Sequence, residues 1–174
     1  LDQAVAEIKN YFEGTNEENY LNRMENVLET LLTLHGGKTV LRFLIEHNVI
    51  DIPTLLHNLS KRDSVLRYSF LLLLKPMCEN ESDLFLPYIE ELLRSEDPNV
   101  KEAILQILIF ISGGEKSITD ESKIKVIASK LSSEKDFVEE KAIQTLRIIG
   151  KENPSIVTKI LRDYIKEFSD DEEL

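Results

Sequence analysis

The sequence contains little of what identifies several common protein classes. Its 174 residues include one cysteine, six glycines, five prolines and no tryptophan. The single cysteine, Cys78, excludes an internal disulfide framework and favours a reducing compartment, so we expect a cytoplasmic protein, with the nucleus as the alternative. The shortage of glycine and proline, combined with abundant leucine and isoleucine, argues against long disordered tracts.

Targeting and membrane signals are also missing. The chain opens with LDQAVAEIKNYF, which lacks the features of a signal peptide, and no apolar run reaches the about 20 residues that a membrane span needs. The first residue is not methionine, so the sequence is consistent with a domain excised from a longer protein. Its length suits a single domain with a sizeable core.

The acidic residues are concentrated at the two ends of the chain. Residues 1–35 carry seven acids and two bases, and residues 163–174 carry six acids and one base, whereas residues 36–162 carry 19 acids and 18 bases. The longest basic cluster, Lys61-Arg62, is followed directly by an acid. Nucleic-acid binding requires a basic surface that neutralises phosphates, so we expect neither nucleic acid nor an anionic membrane as a partner.

One segment of the chain is apolar on almost every side. Between residues 103 and 111 the only polar residue is Gln106. Asp97-Pro98 before this segment is typical of a helix start, and Gly113-Gly114 after it is typical of a helix that ends in the left-handed conformation. We therefore predict a helix that protein covers on more than one side. The same glycine signal predicts two other helix ends, at Gly36-Gly37 and Gly150.

The covering helices become apparent when the chain is aligned with itself. The segments LSKRD, LRSED and LSSEKD each end an apolar helix and place an aspartate at the start of the next one. Their leucines are 34 and 38 residues apart, and leucines in the following helices show the same two separations. The first set is Leu59, Leu93 and Leu131, and the second is Leu74, Leu108 and Leu146. Two sets with one period indicate a helical repeat, in which each inner helix packs on its partner and on both neighbouring repeats.

Residues 27–74 resemble an armadillo repeat with its junction, and LFLPYIEELLRSEDPNVKEAILQILIFIS and SKIKVIASKLSSEKDFVEEKAIQTLRIIG resemble two-helix HEAT repeats. This resemblance to the armadillo/HEAT superfamily implies an all-α fold, a right-handed α-α superhelix (a solenoid) of about four repeats. We expect one domain over residues 1–174, made of an armadillo-like part (20–78), HEAT-like parts (84–113 and 120–150), a C-terminal capping helix (154–168) and an acidic tail (169–174).

The resemblance also implies a non-enzymatic protein-interaction scaffold or adaptor, whose concave face is lined by one helix of each repeat. The family's concave-face positions correspond here to Tyr68, Leu72, Lys75, Glu102, Gln106, Phe110, Glu140, Gln144, Arg147 and Ile148. We expect the apolar members of this set to pack against neighbouring helices. Gln106, Gln144 and Arg147 are the strongest candidates for contact with a partner, since a core would not explain them.

Armadillo proteins that bind extended peptides present a tryptophan and, four residues later, an asparagine from the inner helix. Here the tryptophan positions hold Leu72, Gln106 and Gln144, and the asparagine positions hold Pro76, Phe110 and Ile148. These departures disfavour importin-like recognition and favour a helix or a folded surface as the partner. Two alternatives stay open: a co-chaperone of the Hsp70 exchange-factor type, and a structural segment whose acidic ends contact neighbouring domains of a longer chain.

No motif predicts catalysis or metal binding. HExxH, CxxC and GxSxG are absent, and one cysteine cannot form a thiolate zinc site. HGGK (35–38) lacks the pattern of a P-loop, so we interpret it as a helix break. The paired acids Glu90-Glu91 and Glu139-Glu140 are typical of solvated faces, and the histidines fall in separate helices or at their ends (His35, His47 and His57). We therefore expect no enzymatic activity, no cofactor and no metal site.

Two segments have a structural interpretation. Pro76, in FLLLLKPMCEN, removes a helix hydrogen bond, and we expect a helix end there rather than a functional kink. Its neighbour Cys78 is typical of a small buried hydrophobe. The final DDEEL lacks the basic or histidine residue of an ER-retention signal, so we interpret it as a solvated acidic tail.

Overall fold

The computed structural model describes residues 2–13, 17–114 and 117–172, which form α-helices and short 3-10 turns without a β-strand. The predicted all-α class is confirmed. The α-helices in chain order are α1 (Asp2–Phe12), α2 (Glu17–Thr33), α3 (Gly37–Glu46), α4 (Ile52–Leu59), α5 (Ser64–Asn80), α6 (Ile89–Leu93), α7 (Pro98–Ser112), α8 (Glu121–Ala128), α9 (Asp136–Glu152) and α10 (Pro154–Glu172). The 3-10 turns lie at Ser82–Leu84, Leu86–Tyr88 and Ser129–Ser132.

The chain forms two compact units, where the sequence predicted one domain. The first unit is Leu1–Met77 and the second is Cys78–Leu174. The boundary therefore falls in the last part of α5, shortly after Pro76. In each unit the buried side chains are mostly leucine and isoleucine, supplied by several helices.

In the first unit, α2 packs against α1, α3 and α4. Leu28 on α2, Leu44 on α3 and Leu56 on α4 are fully buried. Between α3 and α4 the backbone turns at Asn48, whose φ of 56° is left-handed, a conformation that asparagine tolerates better than most residues. Asp51 then caps α4 by accepting a hydrogen bond from Thr54 N at 2.9 Å. These local signals stop α3 and start α4 so that their apolar faces meet α2.

In the second unit, each helix pair packs on the next one. Helix α6 contacts α7 and α8, α7 contacts α9, α8 contacts α9, and both α8 and α9 contact α10. The pairs α6–α7 and α8–α9 fall within the two segments that resemble HEAT repeats. Leu93 and Leu108 are fully buried and Leu146 is 5% exposed, so these residues of the aligned leucine sets belong to the core.

Helix α7 is the covered helix that the sequence predicted. It starts after Asp97, whose carboxylate accepts a hydrogen bond from Asn99 N at 2.9 Å, and it ends at Ser112. Every residue from Ala103 to Leu108 is buried, and so are the last three residues of the helix. The apolar segment is therefore a helix with protein on more than one side, as predicted.

Two predicted helix ends are wrong. Pro76 lies inside α5, which continues to Asn80, because burial of Met77 and Cys78 keeps the last turn helical despite the hydrogen bond that proline removes. Gly150 lies inside α9, which continues to Glu152. That helix ends where Pro154 disfavours helical backbone at the preceding residue.

The glycines after α2 and α7 do not form the predicted left-handed ends. Gly36 has a φ of −102° and Gly113 a φ of −83°. The next residues, Gly37 and Gly114, must be glycine for a different reason. A Cβ atom at Gly37 would collide with the carbonyl oxygen of Leu31, and one at Gly114 would collide with that of Glu79. Only glycine permits such a close backbone approach.

The C-terminal helix is longer than predicted. Helix α10 runs to Glu172, so residues 169–172 continue the helix and do not form a separate acidic tail. The Ser169 hydroxyl donates to the carbonyl oxygen of Ile165 at 2.9 Å, one helical turn earlier. No glycine or proline interrupts the sequence after Pro154, which explains why the helix continues. Residues 173 and 174 of the predicted tail lie outside the described residues.

Candidate protein-binding surfaces

The first candidate surface is an exposed apolar stripe on α5. Val65, Tyr68 and Leu72 are 75%, 47% and 37% exposed, and their spacing places them on one side of the helix. We call these three residues the α5 stripe. Lys75, one turn further along, is also exposed. Tyr68 and Leu72, which we expected to pack against neighbouring helices, thus keep a substantial part of their surface in solvent.

The start of α5 is held firmly within the first unit. Asp63 accepts a hydrogen bond from Leu66 N at 3.0 Å and so caps the helix. Arg62, just before it, forms ion pairs with two carboxylates of α2, Glu25 at 2.8 Å and Glu29 at 3.2 Å. The stripe is thus presented by a helix whose N-terminus is tied to the rest of the unit.

Gln106 on α7 does not face solvent, contrary to our expectation. It is only 7% exposed, and its Oε1 accepts a hydrogen bond from Lys141 Nζ on α9 at 2.8 Å. Because α9 packs across α7, it both covers the amide and supplies its partner. Gln106 is therefore a core residue, and its buried amide is satisfied by a hydrogen bond between two helices.

The other predicted positions on α7 are also mostly covered. Phe110 is 7% exposed, and Glu102 is half-buried. Beside them, Thr145 of α9 is fully buried, and its hydroxyl donates to the carbonyl oxygen of Lys141 at 2.7 Å. Helix α7 is thus an internal element of the second unit and offers little surface to a partner.

The second candidate surface is one side of α9. Glu140, Gln144 and Arg147 are exposed as predicted, and Ile148 is half-buried. Ile143, which the sequence reasoning missed, is 39% exposed. Glu140, Ile143, Gln144 and Arg147 follow the spacing of one helical face, and we call this set the α9 face. It combines an apolar side chain with an acid, an amide and a guanidinium.

The three histidines are not brought together. His35, His47 and His57 are exposed and lie on different parts of the first unit, and the ring of His47 contacts that of Phe43 with centroids 4.2 Å apart. Among residues 2–13, 17–114 and 117–172 there is no group of three His, Cys, Asp or Glu side chains that could hold a metal ion.

Cys78 and the acidic pair on α6 were also interpreted from the sequence, and their surroundings indicate structural roles. Cys78 is fully buried, and burial, followed by the nearby charge of Glu79, raises the pKa of its thiol above the ordinary value. Glu90 is half-buried rather than solvated; it accepts a hydrogen bond from the Ser122 hydroxyl at 2.7 Å. This carboxylate therefore links α6 to α8.

Each unit also has an open groove that the sequence did not indicate. In the first unit a groove of about 310 Å³ lies among α1, α2 and α3, with Tyr11 and Leu34 exposed at its edge. In the second unit a groove of about 440 Å³ lies between α8 and α10, over Ala128 and Ile160. Sequence periodicity could not reveal either one, because each depends on the separation between helices.

In the part of the chain that the structure describes, no helix has the length and apolar character needed to cross a membrane. Comparisons with protein-family models, with curated proteins and with solved structures found no match for the chain.

Proposed function

We propose that this chain is a non-enzymatic scaffold that binds a protein partner through exposed faces of its repeat helices. The observation that supports this most is the α5 stripe. Large apolar side chains that stay exposed at helical spacing on a folded helix are typical of interaction sites. In the proposal the helix pairs are armadillo/HEAT-like repeats of a right-handed solenoid, supported by the repeat period and by the successive packing of pairs in the second unit.

The proposed partner of the α5 stripe is an amphipathic helix. The stripe residues lie at positions i, i+3 and i+7, and a second helix can place its own apolar side chains between residues with this spacing. The residues at the opposite side of α5, Phe70, Leu71 and Leu74, are buried in the protein. Helix α5 therefore has one face for its own core and one face free for the partner. We place this interaction in the cytoplasm, with the nucleus as the alternative.

The proposal is tested by combining Tyr68→Ser with Leu72→Ser. The partner is first captured by photo-crosslinking from position 68 and then identified, and its affinity is measured with the purified protein. Loss of two apolar contacts at an interface is expected to weaken binding by at least about tenfold. Because both side chains already keep a substantial part of their surface in solvent, the thermal melting temperature should change little.

The matched control is Ile165→Ser combined with Phe168→Ser on α10. These side chains are 62% and 54% exposed, more than Tyr68 and Leu72, so the control removes exposed apolar surface at another place on the protein. It should leave partner affinity unchanged. Equal weakening by both variants would mean that binding follows general surface hydrophobicity, and the assignment to the α5 stripe would then be wrong.

A further inference from the structure

One side of α9 carries acids in its first half and bases in its second half. Asp136 lies one turn before Glu140 of the α9 face, and Lys151 lies one turn after Arg147. Since helical residues three, four or seven positions apart share a side of the helix, the four charges lie along the same side. The two uncharged members of the α9 face lie between them. The charge therefore changes sign at the middle of this side.

This charge pattern is self-complementary when one copy of the helix is reversed. The pairs Asp136 with Lys151 and Glu140 with Arg147 are each centred on the same point, between residues 143 and 144. Two copies of α9 that pack antiparallel about a twofold axis at this point place Glu140 of each copy against the partner subunit's Arg147. Asp136 then lies near the partner subunit's Lys151. A parallel pair would instead place acid beside acid and base beside base, which is unfavourable.

The charges on this side of α9 have no partner within the described part of the chain. All four are exposed, as are Ile143 and Gln144 between them. None of the four takes part in an ion pair or a side-chain hydrogen bond there.

Pairing within one helix is not available to the two central charges either. Glu140 and Arg147 are separated by about 10 Å along the helix axis, too far for an ion pair within one chain. The aligned position on α7 shows that another helix can cover such a side, because Gln106 is buried under α9.

We propose that the α9 face, extended by Asp136 and Lys151, binds the same surface of a second copy of this chain. Ile143 and Gln144 lie next to the twofold axis, and ion pairs lie on both sides of it. The surface is small and mostly polar, which is typical of a weak, reversible dimer. The net charge of −11 opposes association at long range. At about 0.15 M salt this repulsion is screened over about 8 Å, whereas the contacts between opposite charges persist.

The test measures self-association of the native protein and of the single variants Glu140→Arg and Arg147→Glu. Analytical ultracentrifugation at about 0.15 M salt covers protein concentrations from about 1 μM to about 1 mM. The native protein should dimerise reversibly. Each variant alone should dimerise at least about tenfold more weakly, because like charges then face each other at both central contacts. An equal mixture of the two variants should recover the native affinity, since their heterodimer restores opposite charges at both contacts.

The control variants are Glu91→Arg on α6 and Lys125→Glu on α8, which make the same charge reversals at exposed positions of the second unit. They should dimerise as the native protein does. All four variants should keep nearly the native melting temperature, as surface substitutions do, and this separates lost association from misfolding.

A native protein that stays monomeric at every concentration would contradict the dimer and would leave the α9 face to a different chain. Normal dimerisation of either α9 variant, no recovery in their mixture, or equal weakening by the controls would also contradict it. The α5 stripe of the first unit is unchanged in all these variants. Failure of the dimer and failure of the proposed function are therefore distinguishable.

Discussion

Helices α7 and α9 lie in two segments that align with each other in sequence, yet they meet very different surroundings. Gln106 and Gln144 are 38 residues apart, the same separation as the aligned leucines. Gln106 is 7% exposed and bonded to Lys141, whereas Gln144 is exposed. One residue type at one register is thus a core contact in the first helix and a surface group in the second. A polar residue in an apolar helix does not by itself indicate a binding site.

Truncation of a core leucine on α7 should give the largest change in unfolding free energy, and it tests this comparison. Leu108→Ala should lower the free energy of unfolding by about 2–5 kcal/mol, because Leu108 is fully buried and the variant leaves a cavity. On α9, Ile143→Ala should change it by less than about 0.5 kcal/mol, as at other surface positions. Urea denaturation of both variants measures the difference. Similar losses would mean that α9 is as deeply enclosed as α7.

The two glutamines give the next largest effect. Gln106→Ala leaves the Lys141 ammonium without its hydrogen-bond acceptor and should cost about 1–3 kcal/mol. Gln144→Ala should cost less than about 0.5 kcal/mol. A double-mutant cycle with Lys141→Ala isolates the bond, since a favourable coupling energy between positions 106 and 141 is expected. A coupling energy of zero would show that the contact contributes nothing to stability.

The N-termini of the two helices also differ. Asp97 caps α7 through Asn99 N, while Lys135, at the same place before α9, makes no side-chain capping bond. Asp97→Ala should therefore lower the unfolding free energy by about 1 kcal/mol, and Lys135→Ala should leave it nearly unchanged. Thermal unfolding of the two alanine variants tests this difference. A larger loss at position 135 would contradict the capping assignment.

The smallest expected effect concerns the positive charge of Lys130. Burial and the positive charges of Lys101 and Arg94 disfavour the charged form of Lys130. Lys130→Gln should therefore raise the unfolding free energy at neutral pH, by less than about 1 kcal/mol because the side chain is partly solvated. The pKa of Lys130 is lower in the folded state than its ordinary value of 10.5. Between the folded-state pKa and 10.5 the unfolded chain binds more protons than the folded protein, so the free energy of unfolding rises with pH in this range. Below the folded-state pKa, this group lowers the free energy of unfolding. Unfolding measured against pH should show this rise in the native protein and lose it in the variant.

Local signals predicted much of the fold. Asp97-Pro98 and the apolar pattern that follows identified α7. The leucine period identified residues that prove to be buried, except Leu131, which is half-buried. Burial of Gln106 could not be read from α7 alone, because it depends on Lys141, 35 residues later. The end of α5 was missed because burial of Met77 and Cys78 outweighs the local effect of Pro76. Of the predicted surface, Tyr68, Leu72, Gln144 and Arg147 are accessible, whereas Ile143 was missed because its apolar character suggested a core.

The most direct test of the proposed function is the affinity of the captured partner for the α5-stripe variant. Tyr68→Ser with Leu72→Ser should weaken binding by at least about tenfold, roughly 1.4 kcal/mol, with a nearly unchanged melting temperature. The control, Ile165→Ser with Phe168→Ser, changes exposed apolar side chains of α10 and should bind normally. If the control weakens binding and the α5-stripe variant does not, the partner uses another surface, and the proposal that the α5 stripe binds it is contradicted.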